Sequence, residues 1–236
     1  EVGYVSPALV NIDGSDHVVM VTASSGGRGG TPVNPGKIVG LDPGSGEILW
    51  EYADWVCGIP VPSAVDAGEN RVVVIGGYEL GAVMIRVEKG ADGSYQTTEI
   101  FKTDEFGDQT KPPIQHEGYF YAQYGTNNKR DGLTCMSMEG EIMWKTKRDP
   151  NFNKGSMILA DGMILATDGA KMVYLIEPDP TGFKALASAE LLAKVELADE
   201  RMASRFPDQN WAPIALAEGR LLIRDQSRLL CLQVAE

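Results

Sequence analysis

A short motif returns five times along this chain, at intervals of about fifty residues, and this internal repeat constrains the fold more than any other feature. Each copy leads into a glycine. These glycines are Gly14, Gly68, Gly118, Gly162 and Gly219. An acidic residue precedes four of the five. Such acidic–Gly pairs suit two-residue hairpin turns, because glycine accepts a positive φ without a Cβ penalty. Each repeat therefore predicts two antiparallel strands joined by a tight turn.

Further apolar runs complete each repeat, and all of them are too short for helices. The predicted second strands are 17–21, 71–75, 119–123, 163–166 and 220–223. The predicted third strands are 37–41, 82–87, 133–138, 172–176 and 229–234. A fourth strand is plain at 46–50 and 140–144, and weaker at 95–102 and 183–191. Four strands per repeat are typical of a propeller blade.

These repeats predict an all-β fold, a β-propeller of four-stranded antiparallel blades. A β-sandwich also contains many short strands, but it does not normally repeat the same proline, glycine and tryptophan positions. The predicted blades form one domain, 1–236, and span about 4–55, 56–104, 105–149, 150–195 and 205–236, the last of them incomplete.

The segment 185–206 allows two interpretations. Its alanine, leucine, glutamate and lysine content favours an amphipathic helix by propensity. Its place in the repeat favours a fourth strand as far as about Leu192, followed by a helical turn or a loop.

Composition narrows the classes of partner. The net charge of −12 repels phosphate, which argues against nucleic acids and anionic membrane surfaces. No apolar stretch approaches the roughly 20 residues of a membrane helix. Cys57, Cys135 and Cys231 lie far apart beside apolar residues, so we expect buried free thiols, with a disulfide between two of them as the alternative.

Two segments resemble a known family motif. Residues 41–50, Leu-Asp-Pro-Gly-Ser-Gly-Glu-Ile-Leu-Trp, resemble the tryptophan-docking motif of PQQ-binding-like β-propeller repeats, and 135–144 is a looser copy. Residues 153–162 and 211–225 are similar to the last two blades of such proteins. The resemblance implies a periplasmic or secreted protein whose five visible blades are the C-terminal part of a seven- or eight-bladed ring. A closed five-bladed ring is the alternative.

Within this family, quinoprotein dehydrogenases resemble one another in a vicinal cysteine pair, a calcium site and a catalytic aspartate. The chain has neither adjacent cysteines nor that calcium motif. We therefore expect no catalytic residue, no metal and no cofactor, neither PQQ nor calcium. The leading hypothesis is a non-catalytic scaffold, BamB-like in kind, that binds protein or polymer. A partial or degenerate PQQ-dependent alcohol or sugar dehydrogenase, and one module of a larger protein, are the alternatives.

The candidate residues follow from the repeat. Trp50, Trp144 and Trp211 are predicted to cover joints between blades. His17 and His116 both lie near hairpin turns, where we expect exposed or turn-bonded side chains rather than a metal site. The glycine-rich segment 24–31 and the segment 124–132 are predicted as loops of one rim, where binding residues concentrate. Their polar residues Arg28, Asn127, Lys129 and Arg130 are the predicted partner contacts, with plain solvated loops as the alternative.

Overall fold

Every regular element of the computed structural model is a β-strand, across the residues it describes, which are 3–25, 34–125, 130–193 and 210–235. This confirms the all-β fold class. The strands fall into two compact units, one ending at Pro113 and the other beginning at Ile114.

The first unit contains two four-stranded antiparallel sheets. The first sheet consists of β1 (Ala8–Ile12), β2 (Ser15–Val21), β3 (Ile38–Leu41) and β4 (Ile48–Tyr52). The second sheet consists of β5 (Val65–Gly68), β6 (Arg71–Gly76), β7 (Gly81–Lys89) and β8 (Tyr95–Thr103). In both sheets each strand pairs with the next one along the chain.

The second unit contains three sheets with the same sequential pairing. The third sheet consists of β9 (Ile114–His116), β10 (Tyr119–Gly125), β11 (Arg130–Ser137) and β12 (Ile142–Lys145). The fourth consists of β13 (Met157–Ala160), β14 (Met163–Thr167), β15 (Met172–Glu177) and β16 (Lys184–Glu190). The fifth has three described strands, β17 (Ala215–Ala217), β18 (Arg220–Arg224) and β19 (Leu229–Gln233).

These five sheets confirm the blade-like, four-stranded prediction, while closure into a ring stays a prediction. The weakly signalled fourth strands are fully formed: β8 spans nine residues and β16 spans seven. The strand predicted in 185–206 ends at Glu190, and 194–209, where we expected a helical turn or loop, lies outside the described residues.

The hairpin turns have the predicted conformation. Both central residues take a positive φ, as in Asp13 (50°) with Gly14 (79°) and Asp161 (48°) with Gly162 (72°). This pair of dihedral signs is that of a type I′ turn, whose twist matches the flanking strands. The second sheet differs, because Glu69 and Asn70 also have positive φ and a register shift follows Asp66.

Sequential antiparallel pairing fixes which connections share an end of each sheet. The turns between first and second strands and between third and fourth strands lie at one end, which we call the hairpin rim. The connection between second and third strands and the link to the following sheet lie at the other end, the loop rim.

Neighbouring sheets within a unit stack face to face, and the hairpin rims of the first two sheets lie next to each other. The backbone N–H of Asn11 donates to Asp66 Oδ2 (2.8 Å) and that of Asp13 to Asn70 Oδ1 (2.8 Å), which joins the hairpin rims of the first two sheets. Apolar side chains fill the joint between these sheets, including Val10, Ile12, Val72 and Val74. Similar clusters lie between the third and fourth sheets and between the fourth and fifth.

Candidate binding cleft

An open cleft of about 340 Å³ lies at the loop rim of the first unit. Its walls come from the segment after β4, from the turn between β6 and β7, and from the end of β8. The lining residues are Asp54, Trp55, Val56, Leu80, Lys102, Thr103 and Asp104. The volume is in the range of small-ligand pockets and suits one ring or one large side chain of a longer partner.

A strained turn borders the cleft. In the four-residue turn 77–80, Leu80 N–H donates to the Gly77 carbonyl (3.1 Å), and both central residues, Tyr78 and Glu79, have positive φ (57° and 67°). Side chains other than glycine, asparagine and aspartate rarely adopt this conformation, which costs about 1–2 kcal/mol per residue. The turn thereby leaves Tyr78 56% exposed, two residues before Leu80, which lines the cleft.

The cleft combines an apolar floor with charged groups at its mouth. Trp55 is almost fully buried, and its ring packs on Gly76, where a Cβ would lie 3.3 Å from it. The Lys102 ammonium donates to the Asp54 carbonyl (2.9 Å) and lies 3.9 Å from Glu99 Oε2. This arrangement suits binding: an apolar group can rest on the floor while polar groups at the mouth orient it.

The predicted contact residues do not line this cleft. Arg28, Asn127 and Lys129 lie outside the described residues. Arg130 is exposed, at the first residue of β11 in the second unit. Tyr78 and Leu80 were not among the predicted contact residues, although two consecutive glycines before them and one after them, at 76, 77 and 81, mark an unusual turn.

One predicted loop is shorter than expected. Tyr124 pairs with Gly132 and Gly125 with Arg130, so β10 and β11 occupy most of 124–132. The other predicted loop begins at the loop rim of the first sheet, where Ser25 bridges to Asn34 and the Ser24 N–H donates to the Cys57 carbonyl (2.9 Å).

Trp50 lies in the joint between the first two sheets, 3% exposed. Its ring covers Gly40, its partner on β3, where any Cβ would overlap the indole. Its Nε1–H donates to His17 Nδ1 (2.9 Å).

The expectation of an exposed or turn-bonded His17 was wrong. The side chain is 1% exposed, because its position on β2 points into the joint between the sheets. Its ring meets the Tyr95 ring edge to face, with centroids 4.8 Å apart. Burial lowers the pKa of His17 from 6.5, against the nearby carboxylates of Asp42, Asp13 and Asp16 and with the nearby Lys89 ammonium. The neutral ring therefore carries its proton on Nε2 and accepts at Nδ1.

The other two predicted tryptophans are half-buried. Trp144 packs with Tyr121 and Phe183 in the cluster between the third and fourth sheets, and its Nε1–H donates to the Asp179 carbonyl (2.8 Å). Trp211 lies before β17, not on a fourth strand, and the Lys154 ammonium lies 4.8 Å from its ring centroid.

The three cysteines are free thiols, as expected, but only two are buried. Burial raises the pKa of Cys57 to about 11 and that of Cys135 to about 11, so neither is nucleophilic at neutral pH. The expectation of burial was wrong for Cys231. Its side chain is exposed, because it lies on the face of β19 opposite to Leu230 and Leu232, which pack toward the fourth sheet.

Within the described residues, no three His, Cys, Asp or Glu side chains are placed to hold a metal ion. The same residues contain no helix long and apolar enough to cross a membrane. No protein-family model matches the chain. A comparison with curated proteins also finds no significant match.

Proposed function

We propose that the chain is a non-catalytic binding scaffold, periplasmic or secreted, that holds a protein or polymer partner at the loop rim of its first unit. The observation that carries this proposal is the cleft bordered by a strained turn that exposes Tyr78. Backbone strain of this kind persists at functional sites when the surrounding structure enforces it. Here Gly77 and Gly81, packed on Gln109 and Thr103, hold the ends of the turn.

The chemistry of the cleft supports an extended partner with a flat or apolar group. An exposed tyrosine supplies a rigid contact surface with little loss of side-chain entropy, as at many protein interfaces. Asp54, Asp104 and Lys102 at the mouth provide polar contacts to the partner's backbone or hydroxyl groups. A small enclosed ligand fits less well, because the cleft is open on one side.

Arrays of extended peptides and of polysaccharides test the proposal, with Tyr78→Gly as the variant. Glycine tolerates the positive φ, so the turn stays folded while the ring is lost. We expect binding to at least one array class and roughly tenfold weaker binding by Tyr78→Gly, as for an interface hot spot. Tyr4→Ala is the matched control, since Tyr4 is also an exposed tyrosine of the first unit, 80% exposed.

Equal binding by the wild-type chain, Tyr78→Gly and Tyr4→Ala would refute the role of the cleft. Absence of binding to both arrays would also count against it. The quinoprotein alternative has its own measurement: a titration with PQQ and calcium, in which stoichiometric micromolar uptake would favour a dehydrogenase over the scaffold.

A further inference from the structure

A buried hydrogen-bond donor in the wall of the cleft has no acceptor within the described residues. Trp55 lines the cleft and is 2% exposed. No atom of these residues accepts a hydrogen bond from its indole Nε1–H. Buried polar groups of native proteins nearly always have a partner, and an indole nitrogen can only donate. The acceptor therefore comes from a bound partner or from water.

Two other indoles of the chain are paired, so an unpaired indole is not a general property of these sheets. Trp50 Nε1–H donates to His17 Nδ1 (2.9 Å), and Trp144 Nε1–H donates to the Asp179 carbonyl (2.8 Å). Both lie in joints between sheets, where the chain itself supplies the acceptor. Trp55 differs because the cleft adjoins it. An acceptor from another molecule can approach from the cleft alone, since the chain covers the rest of the ring.

The unpaired donor lies next to an aliphatic wall. A Cβ on Gly76 would lie 2.9 Å from Leu80 Cδ2 and 3.3 Å from Cζ2 and Cη2 of Trp55, so Leu80 and the indole meet above this glycine. Cζ2 is bonded to the ring carbon that carries Nε1. Val56, the next residue along the chain, also lines the cleft. A ligand that bonds to Nε1 therefore fits best with an apolar group beside its acceptor.

We propose that the cleft takes an extended peptide, one of whose backbone carbonyls accepts the hydrogen bond from Trp55 Nε1–H while a neighbouring aliphatic side chain rests against Leu80 and Val56. This inference rests on the proposed binding function of the cleft and names the class of its partner. Nε1 is covered in the free chain, so the carbonyl reaches it after a small shift of a side chain in the cleft wall.

Charge favours a neutral acceptor over a carboxylate. Asp54 and Asp104 line the cleft together with Lys102, so carboxylates outnumber ammonium groups there. The Lys102 ammonium already donates to the Asp54 carbonyl (2.9 Å). The net charge of −12 adds to the repulsion of an anionic group. A backbone carbonyl is an uncharged acceptor, and the Asp54 carboxylate can accept the adjacent peptide N–H.

The walls favour a peptide over a carbohydrate. Val56 and Leu80 present aliphatic side chains, and the buried Trp55 presents almost none of its ring face. Sugar hydroxyls that press against aliphatic walls lose their hydrogen bonds to water without replacement. A leucine-like side chain has no such cost and gains from burial. The partner is therefore a peptide with an aliphatic residue beside the bonded carbonyl.

Nuclear magnetic resonance of the indole N–H groups tests this inference on the full chain. The chain has four tryptophans, and the indole signal that is absent from Trp55→Phe belongs to Trp55. The probe is alanyl-leucyl-alanine capped at both ends, added at millimolar concentration. Capped triglycine, which lacks the aliphatic side chain, and maltotriose, which lacks the amide carbonyls, are the comparisons. We expect the leucine peptide to move the Trp55 indole proton downfield with saturation, and the two comparison compounds to leave it in place.

Trp55→Phe also measures the contribution of the donor, because phenylalanine keeps an aromatic ring and lacks the N–H. We expect it to bind the leucine peptide roughly fivefold more weakly, as for the loss of one hydrogen bond. Trp144→Phe is the matched control, since it makes the same change in the second unit, and should bind as the wild type does. Thermal unfolding checks that both variants fold. If Trp55→Phe does not fold, the wild-type titration decides.

The outcomes separate this inference from the proposed function. Movement of the Val56 and Leu80 methyl signals without movement of the Trp55 indole proton would leave the cleft as a binding site and overturn the carbonyl bond, with water as the acceptor. Movement of the indole proton by maltotriose instead of the peptide would overturn the peptide and indicate a carbohydrate. If no compound moves any of these signals, both this inference and the binding role of the cleft are wrong.

Discussion

The first and third sheets differ in how they pack the tryptophan of their fourth strand. Each has a tryptophan at the same position of its fourth strand, Trp50 or Trp144. Trp50 faces Gly40 across the ladder and is buried, whereas Trp144 faces Cys135 and is only half-buried. A glycine lets the indole lie flat on the sheet, and a side chain at that position keeps it further out.

The partner of the indole N–H differs accordingly. The buried Trp50 donates to a side chain of its own sheet, His17. Trp144 donates to a backbone carbonyl of the following sheet, that of Asp179, and Tyr121 occupies the place that His17 has in the first sheet. A buried indole therefore brings a titratable acceptor into the first joint, whereas the second joint has none at this position. The same repeat position, occupied by His17 or by Tyr121, can therefore produce a pH-sensitive joint or an insensitive one.

Removing each indole should give the largest difference in the free energy of unfolding between the two joints. Trp50→Ala leaves a cavity in the first joint and an unpaired His17 acceptor, and we expect it to cost about 3–5 kcal/mol of stability. Trp144→Ala removes a half-buried ring and costs less. Urea unfolding of both variants, followed by fluorescence of the remaining tryptophans, measures the two losses. Equal losses would contradict the contrast between the joints.

Substitution of Gly40, which lies beneath the Trp50 ring, should have the next largest effect on stability. Gly40→Ala places a methyl group inside the indole and forces the ring outward, at a cost of about 1–3 kcal/mol as for other overpacked cores. Cys135→Ala, the matched change at the equivalent position, removes only a sulfur atom from a site that already holds a side chain. We expect the Trp50 emission to shift to longer wavelength in Gly40→Ala and no comparable shift of Trp144 emission in Cys135→Ala.

Acid should weaken the first joint selectively. The pKa of folded His17 lies below its unfolded value of 6.5, so the stability it contributes is complete above pH 6.5. That stability falls as the pH drops below 6.5, because the unfolded chain binds a proton that burial keeps off the folded ring. It levels off below the folded pKa, where the folded ring is itself protonated at Nδ1 and loses the bond from Trp50. Thermal unfolding between pH 7 and pH 5 should show this loss in the wild type. In His17→Gln, which keeps an acceptor but does not titrate, the part of the loss due to this residue should vanish.

The rates at which the cysteines are modified should distinguish the joint between the first two sheets from the joint between the third and fourth sheets. We expect this effect to be the smallest of the four. Cys57 belongs to the first joint and Cys135 to the second, whereas Cys231 is exposed. A disulfide reagent that reacts in acid should modify Cys231 rapidly in the folded chain and the other two slowly. On lowering the pH from 7 to 5, we expect faster modification of Cys57 and little change at Cys135. Parallel acceleration at both thiols would show that acid does not act on the first joint alone.

Much of the fold follows from local patterns in the sequence. The acidic–Gly pairs at Asp13 and Asp161 specify type I′ turns, and the apolar runs beside them specify strands, because both depend on the dihedral preferences of a few neighbouring residues. The fourth strands β8 and β16 have weaker patterns, since no residue of β8 is buried and all seven residues of β16 are exposed.

The candidate cleft was less accessible to sequence reasoning. Its walls come from segments some fifty residues apart in the chain, such as Val56 and Lys102, which only stacking of the sheets brings together. The burial of His17 was missed because a histidine near a turn usually lies in solvent. Its four-residue spacing from Asp13, the same as that of Tyr121 from Glu117, is the signal that identifies the strand face packed against the following sheet.

Sequential pairing within every sheet has a consequence for how such a chain can change its length. Each sheet closes its hydrogen-bond ladder with consecutive strands, so no strand is shared between sheets in the described residues. Duplication or deletion of about fifty residues would then add or remove one whole sheet and leave the ladders of the others intact. Length variation among proteins built in this way should therefore occur in steps of a full repeat, with the break points in the links at the loop rim.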